Sequence, residues 1–150
     1  MKTRPPAPGA ALHTRNIQCN GLSMQVTESG SPGQPLVVLA HGWPELAWSW
    51  RHQIPALAQA GYHVLAPDMR GYGGTEAPPN RADYDIQSLV EDVSALVRVS
   101  GSERAVIVGH DWGAVVAWHA ALLEPALFKA VAAFSVPYFG PPAAPPTEIW

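Results

Sequence analysis

Residues 105–123 read AVIVGHDWGAVVAWHAALL, and the reading of this stretch decides the fold. Ala105–Val108 is a short apolar run without polar alternation, the pattern of a strand buried on both faces of a parallel sheet. Ala114–Leu123 is apolar nearly all round and long enough to be a helix. Between them stands Gly109-His110-Asp111-Trp112-Gly113, which places an acidic residue at a strand-to-helix turn with glycine two positions away on either side. So sharp a turn forces its central residue into a strained backbone conformation, and side chains two residues away would clash. This is the G-x-nucleophile-x-G spacing, with Asp where Ser is the commoner choice. A carboxylate there faces the dipole and free N–H groups of a helix N-terminus, which favour its ionised form. Such a group needs no base to act as a nucleophile. The pentapeptide alone fits a second account equally well, because Asp is also a favoured N-cap.

Working outward, Leu36–Ala40 (LVVLA), Tyr62–Ala66 and Val131–Phe134 repeat the buried-strand pattern. Trp50–Ala60 reads as a helix closed by Gly61, with Pro55 predicting a break near Ile54. Gly71 to Asn80 is a Gly/Pro loop. Asp85–Ser100 follows as a helix with apolar residues at 86, 89, 90, 93, 96 and 97, stopped by Gly101. Ahead of all this, Thr14–Asn20 and Leu22–Glu28 alternate weakly around Asn20-Gly21, a hairpin signal because both turn residues tolerate positive φ. The order βαβαβαβ with apolar strands predicts an α/β fold, a mostly parallel sheet with helices on both faces. We expect a flexible Pro/Ala arm over residues 1–11, a core over 12–139, and a proline-rich linker over 140–150 (GPPAAPP and four more residues).

Composition narrows the function classes. In 150 residues, 47% are hydrophobic and only 14% charged, enough apolar material for a core and too little charge for a disordered tail. A net charge of −3 with scattered Lys and Arg gives no nucleic-acid footprint. The lone Cys19, expected to be a packing residue, excludes a disulfide framework and suits a reducing cytoplasm, the expected location. The N-terminus lacks the apolar region of an export signal. The uncharged run from Ala130 to Thr147 approaches membrane-helix length, but Pro137, Pro141, Pro142, Pro145 and Pro146 break it. No metal or organic cofactor motif is present.

Two further motifs bear on Asp111. His41-Gly42-Trp43-Pro44 follows the first buried strand, where hydrolases of this kind place an oxyanion-binding loop. The backbone N–H groups of Trp43 and Trp112 could then converge on one oxygen; read blandly, Gly-Trp-Pro is only a turn. Pro67-Asp68-Met69-Arg70-Gly71-Tyr72-Gly73-Gly74 follows the second strand. Together HGWP, APDMRGYGGTEAP and VGHDWG resemble the α/β-hydrolase superfamily, specifically its epoxide hydrolase branch, from about Leu22 to Tyr138. The resemblance implies Asp111 as the nucleophile that opens a small apolar epoxide through an alkyl-enzyme ester, with the N–H groups of Trp43 and Trp112 as oxyanion hole. It implies His41, Gly42 and Pro44 as supports of their loop, a cis Trp43–Pro44 peptide, and Arg70 and Gly71 as structural. Gly109, His110 and Gly113 support the turn, with His110 pointing away from the carboxylate.

Hydrolysis of such an ester needs a water-activating base, normally His with an acid partner. The family's His, its acid and its lid tyrosines lie downstream. After Gly113 the only histidine is His119, which reads as a helix residue without triad context, and Tyr138 precedes the expected lid. We therefore expect a fragment of the family's length, ending as the lid begins and inactive in turnover alone. The Val131–Phe134 strand is then an exposed apolar edge. Of Trp43, Trp48 and Trp50, Trp43 is the candidate for lining a substrate pocket, and Asp68 reads as loop support. A haloalkane or haloacid dehalogenase, which shares the Asp chemistry, is the nearest alternative. A non-catalytic hydrolase-fold binding protein is the alternative of another class.

Overall fold

Asn20 and Gly21 take φ of 48° and 73°, so two residues reverse the chain between β1 (His13–Cys19) and β2 (Leu22–Ser29). Cys19 pairs with Leu22 across this turn, the hairpin expected from Asn-Gly. The computed structural model describes residues 11–138 and 140. Residues 1–10 of the expected arm, and the proline-rich stretch beyond 140, lie outside the described residues.

The four buried runs become β3 (Leu36–Ala40), β4 (His63–Pro67), β5 (Ala105–His110) and β6 (Phe128–Phe134). They join the hairpin in one six-stranded sheet ordered β1-β2-β4-β3-β5-β6. The β4, β3, β5 and β6 strands run parallel, while β2 joins β4 antiparallel. Alternation along β3 divides the core. Leu36, Val38 and Ala40 face the cluster that holds Val93 and Val97 of α2 (Ile86–Val99) and Val116 and Ala120 of α3 (Trp112–Leu123). Val37 and Leu39 face Trp50 and Ile54, the latter on α1 (Gln53–Gln59). Helices thus cover both faces, as the strand pattern predicts.

Three details differ from expectation. The chain after the first strand does not form one broken helix. A 3₁₀ turn over Ala47–Trp50 comes first, and α1 begins at Gln53. Pro55 therefore sits in the first turn of α1, where its missing N–H has no intrahelical partner to lose, and no break occurs at Ile54. Next, Val106 and Val108 on β5 are only half-buried, because the face they share with α1 is thinly covered there. Finally, the last strand starts at Phe128 rather than Val131. It is the outermost strand, with Phe134 54% exposed, so the apolar edge expected from the sequence is present among the described residues.

Candidate active site

Asp111 sits where β5 turns into α3, at φ 54° and ψ −122°, a positive φ that costs a non-glycine residue of order 1–3 kcal/mol. The flanking glycines explain how the chain reaches it. A Cβ on Gly109 would strike the Gly113 carbonyl, and one on Gly113 would strike the carbonyls of Ala40 and His41. Gly113→Ala is accordingly expected to lower stability by about 3 kcal/mol, the upper range for overpacking. A denaturant midpoint within error of the parent would contradict this.

Asp111 holds the N-cap position of α3, but its side chain makes no capping hydrogen bond there. The carboxylate instead crosses to the loop after β3 and accepts the Trp43 backbone N–H on Oδ1 at 2.9 Å. The Trp43 N–H, joined by the Trp112 N–H, holds the Asp111 carboxyl below the usual carboxylate range. One backbone donor from the loop after β3 thus meets the carboxylate, and the Trp112 amide adjoins it at the start of α3.

Why the first loop stays in place is legible atom by atom. The Trp43–Pro44 peptide is cis, as expected. A Cβ on Gly42 would meet Asp111 Cβ at 2.5 Å, so only glycine lets the loop approach so closely. His41 is 2% exposed, with Nδ1 2.8 Å from the Gly42 carbonyl and Nε2 2.9 Å from the Met69 N–H. A carbonyl can only accept and an amide only donate, so His41 is the neutral Nδ1–H tautomer. Burial lowers its pKa, opposed by the Gly42 carbonyl. The unfolded chain, with a value near 6.5, therefore takes up the proton first. Stability contributed by neutral His41 is complete above pH 6.5 and is lost as pH falls below it. Nitrogen NMR at pH 6.5 is expected to find the His41 ring neutral with Nδ1 protonated, and a half-charged ring would refute the assignment.

The loop after β4 is fastened by two acids. Asp68, 5% exposed, accepts the Ala47 N–H at 2.9 Å and the Gly74 N–H at 3.1 Å, the loop-supporting role expected of it. Arg70 meets Asp92 on α2 through Nε and Nη2 at 2.8 and 2.7 Å, and its Nη1 donates to the Asp83 carbonyl. Asp92 is fully buried and also accepts from Asn20 Nδ2 at 2.7 Å. This network ties hairpin turn, loop and helix together.

The remaining candidates fall as follows. His110 turns away from Asp111, with Nδ1 3.2 Å from Glu45 Oε1. His119 bonds the Val115 carbonyl on its own helix. Tyr138 lies against the Trp118 ring, 5.5 Å between centroids. Trp50 is buried in the core, while Trp43 and Trp112 are each more than 60% exposed beside Asp111. Trp48 is equally exposed and carries the Arg51 guanidinium over its ring. Cys19 is buried, and burial followed by the Asp92 charge pushes its thiol up to about 11, in keeping with a packing residue. A cleft of about 250 Å³ opens beside Gly42 and Trp112, walled by Met69, Tyr72, Leu89 and Val116. Among the described residues no three His, Cys, Asp or Glu side chains are grouped to hold a metal, and no helix is long and apolar enough to cross a membrane.

Asp92 and Glu45 escaped the sequence reading. Asp92 had a signal: it adjoins Val93 on a helix whose apolar face is buried, so its charge required a partner. Glu45 had none, since nothing local tells which residue His110 will face.

A protein-family model described as alpha/beta hydrolase fold matches residues 35–148. Epoxide hydrolase A of Mycobacterium tuberculosis is 58% identical over 134 residues, covering 89% of this chain and 42% of that protein. The pig bifunctional epoxide hydrolase 2 is 43% identical over 143 residues, which are 95% of this chain and 25% of its own. Among solved structures, epoxide hydrolase A from Mycobacterium thermoresistibile superposes with a TM-score of 0.90 at 52% identity, over 93% of this chain and 44% of that one. The chain therefore spans less than half the length of each of these relatives.

Proposed function

The chain belongs to the α/β-hydrolase fold family, and from that premise we propose that it carries the attacking half of an epoxide hydrolase, with Asp111 as nucleophile. The observation that carries this reading is the 2.9 Å bond from the Trp43 N–H to Asp111 Oδ1. An oxygen so held is the one that stays a carbonyl once the other, Oδ2, is alkylated. Oδ2 attacks an epoxide carbon, the ring C–O bond breaks, and the ring oxygen leaves as an alkoxide that takes up a proton. Water then adds to the ester carbonyl carbon, and the negative charge that develops on Oδ1 falls between the N–H groups of Trp43 and Trp112. One such donor contributes about 2.7–4 kcal/mol in related acyl chemistry. A serine in place of Asp111 would form an ether that water cannot easily cleave.

Glycines 109 and 113 allow the turn, while His41, Gly42 and Pro44 shape the opposing loop and His110 stays clear of the carboxylate. The second step needs a base. His110 and His119 are both engaged elsewhere, with Glu45 and with the Val115 carbonyl. Complete turnover is thus proposed for a protein of the relatives' length, with this chain alone stopping at the ester. Residues 12–139 are read as part of the hydrolase core, and 140–150 as the approach to a lid. The buried lone cysteine favours a cytoplasmic location.

That these relatives are epoxide hydrolases favours an epoxide over a haloalkane. A protein of full family length should convert styrene oxide to its diol and release no chloride from 1-chlorobutane. Chloride release without diol formation would reverse the assignment.

A further inference from the structure

The loop from His41 to Ala47 carries the Trp43 N–H to Asp111, and it is fastened at both ends. His41 Nε2 accepts the Met69 N–H, and the Ala47 N–H donates to Asp68. His41, Gly42 and Ala47 are buried, whereas Trp43, Pro44 and Leu46 are exposed and Glu45 is only partly covered. Burial therefore fixes the ends of the loop and does little for its middle.

Among the described residues, two polar contacts join that middle to the strand-to-helix turn, and they lie side by side. Trp43 donates its N–H to Asp111 Oδ1 at 2.9 Å, and Glu45 Oε1 lies 3.2 Å from Nδ1 of His110, the residue before Asp111. A carboxylate can only accept, so the second contact is favourable while Nδ1 carries a proton. Glu45 and Trp43 belong to one tight turn, closed by the Glu45 N–H on the Gly42 carbonyl at 3.1 Å. A pull on the Glu45 side chain is thus passed to the Trp43 N–H through two residues of backbone. The pair opens on a hollow of about 220 Å³, walled also by Ser49, Trp50 and Gln53. That hollow shares no wall residue with the cleft beside Gly42.

We propose that Glu45 and His110 form a positioning latch that holds the Trp43 N–H against Asp111 Oδ1 from outside the site. Its importance for catalysis rests on the reading of Asp111 as nucleophile, but the geometry can be tested without that reading. Both side chains are partly exposed, and pairs so placed add little to global stability, so the latch can be removed without unfolding the chain.

Glu45→Ala in the 150-residue chain is expected to speed hydrogen exchange at the Trp43 amide by about tenfold, as a locally loosened segment does. The Asp111 carboxyl, titrated by carbon NMR, should rise toward its ordinary 3.8, because the Trp43 N–H is the main cause of its lowering. The sign separates positioning from charge, since loss of a nearby acid by itself would favour the ionised carboxyl and lower its pKa. His110→Phe keeps the bulk of the ring and removes Nδ1. It should match Glu45→Ala in amide exchange, and the double variant should lose no more than either. If His110→Phe does not fold, Glu45→Ala decides alone. A third measurement treats the styrene oxide adduct with hydroxylamine. The hydroxylamine nitrogen adds to the ester carbonyl carbon and negative charge develops on Oδ1. The ester C–O bond then breaks, and the diol leaves with a proton while Asp111 becomes a hydroxamate. Glu45→Ala should slow this step by about tenfold, less than the hundredfold or more that deleting such a donor costs. Unchanged Trp43 exchange, a carboxyl pKa that stays or falls, additive effects in the double variant, or an unchanged hydroxylamine rate would each overturn the latch. Absence of any adduct in the parent chain would refute the nucleophile and leave the exchange and carboxyl titration to decide the latch.

Discussion

Incubated with styrene oxide, the 150-residue chain is expected to gain the mass of one epoxide as an ester on Asp111, and Asp111→Ala is expected to gain none above background. The expected fall in alkylation rate is at least about a thousandfold, or roughly 4 kcal/mol of barrier. Two features of Asp111 support this, the first of them unique among the described acidic residues. Its backbone is held at φ 54°, and its Oδ1 is engaged by the Trp43 N–H, which leaves Oδ2 to attack. The same N–H groups set the pH dependence. The reactive form is the ionised one, and Trp43 and Trp112 hold the carboxyl below its ordinary 3.8. Alkylation should therefore not fall between about pH 7 and pH 5, and should be lost only as pH drops through the lowered value. Peptide mapping that found the adduct on another carboxylate, or a rate that halved by pH 5, would remove Asp111 from the role.

Asp92→Ala is expected to be the most damaging single change away from the site, at about 3–5 kcal/mol, the usual cost of removing one partner of a buried ion pair. Total stability of a domain is about 5–15 kcal/mol, so this would bring the chain near unfolding. The loss has a local cause. Arg70, 8% exposed, would keep its charge without the paired carboxylate, and Asn20 would lose its acceptor as well. Replacing both charges with Arg70→Met and Asp92→Leu should recover most of the loss, since apolar side chains of similar volume commonly match a buried pair. Urea melts of the two single variants and the double variant measure the coupling. Additive losses would mean that the pair contributes nothing as a pair.

The β-strands, α2 and the Asn20-Gly21 turn were readable because each depends on neighbours in the chain. An apolar run has one way to become a buried strand, and two residues tolerant of positive φ have one common way to join a hairpin. The turn at Asp111 was readable in part for the same reason, since the steric need for Gly109 acts within five consecutive residues, whereas that for Gly113 comes from the carbonyls of Ala40 and His41 at the end of β3. The HGWP loop was legible as a loop, and its match to known motifs even indicated the cis Trp43–Pro44 peptide. The boundary of α1 was misread because Pro55 can either break a helix or sit harmlessly in its first turn. Only the position of the preceding 3₁₀ turn, with Ala47 fastened to Asp68, distinguishes the two.

The sequence by itself determined the layered α/β architecture, the strained turn that presents Asp111, and the local need for Gly109 within it. Tertiary structure decided what meets Asp111: a backbone N–H from a residue 68 positions away. It likewise decided that Arg70 finds Asp92, that His110 finds Glu45, and that a hydrocarbon-walled cleft lies beside Gly42 and Trp112. The division has one physical origin. Backbone sterics and hydrophobic periodicity act over a few residues and are written in local order. Charge pairs, converging amides and cavities depend on which strands become neighbours, and that follows from packing the whole sheet.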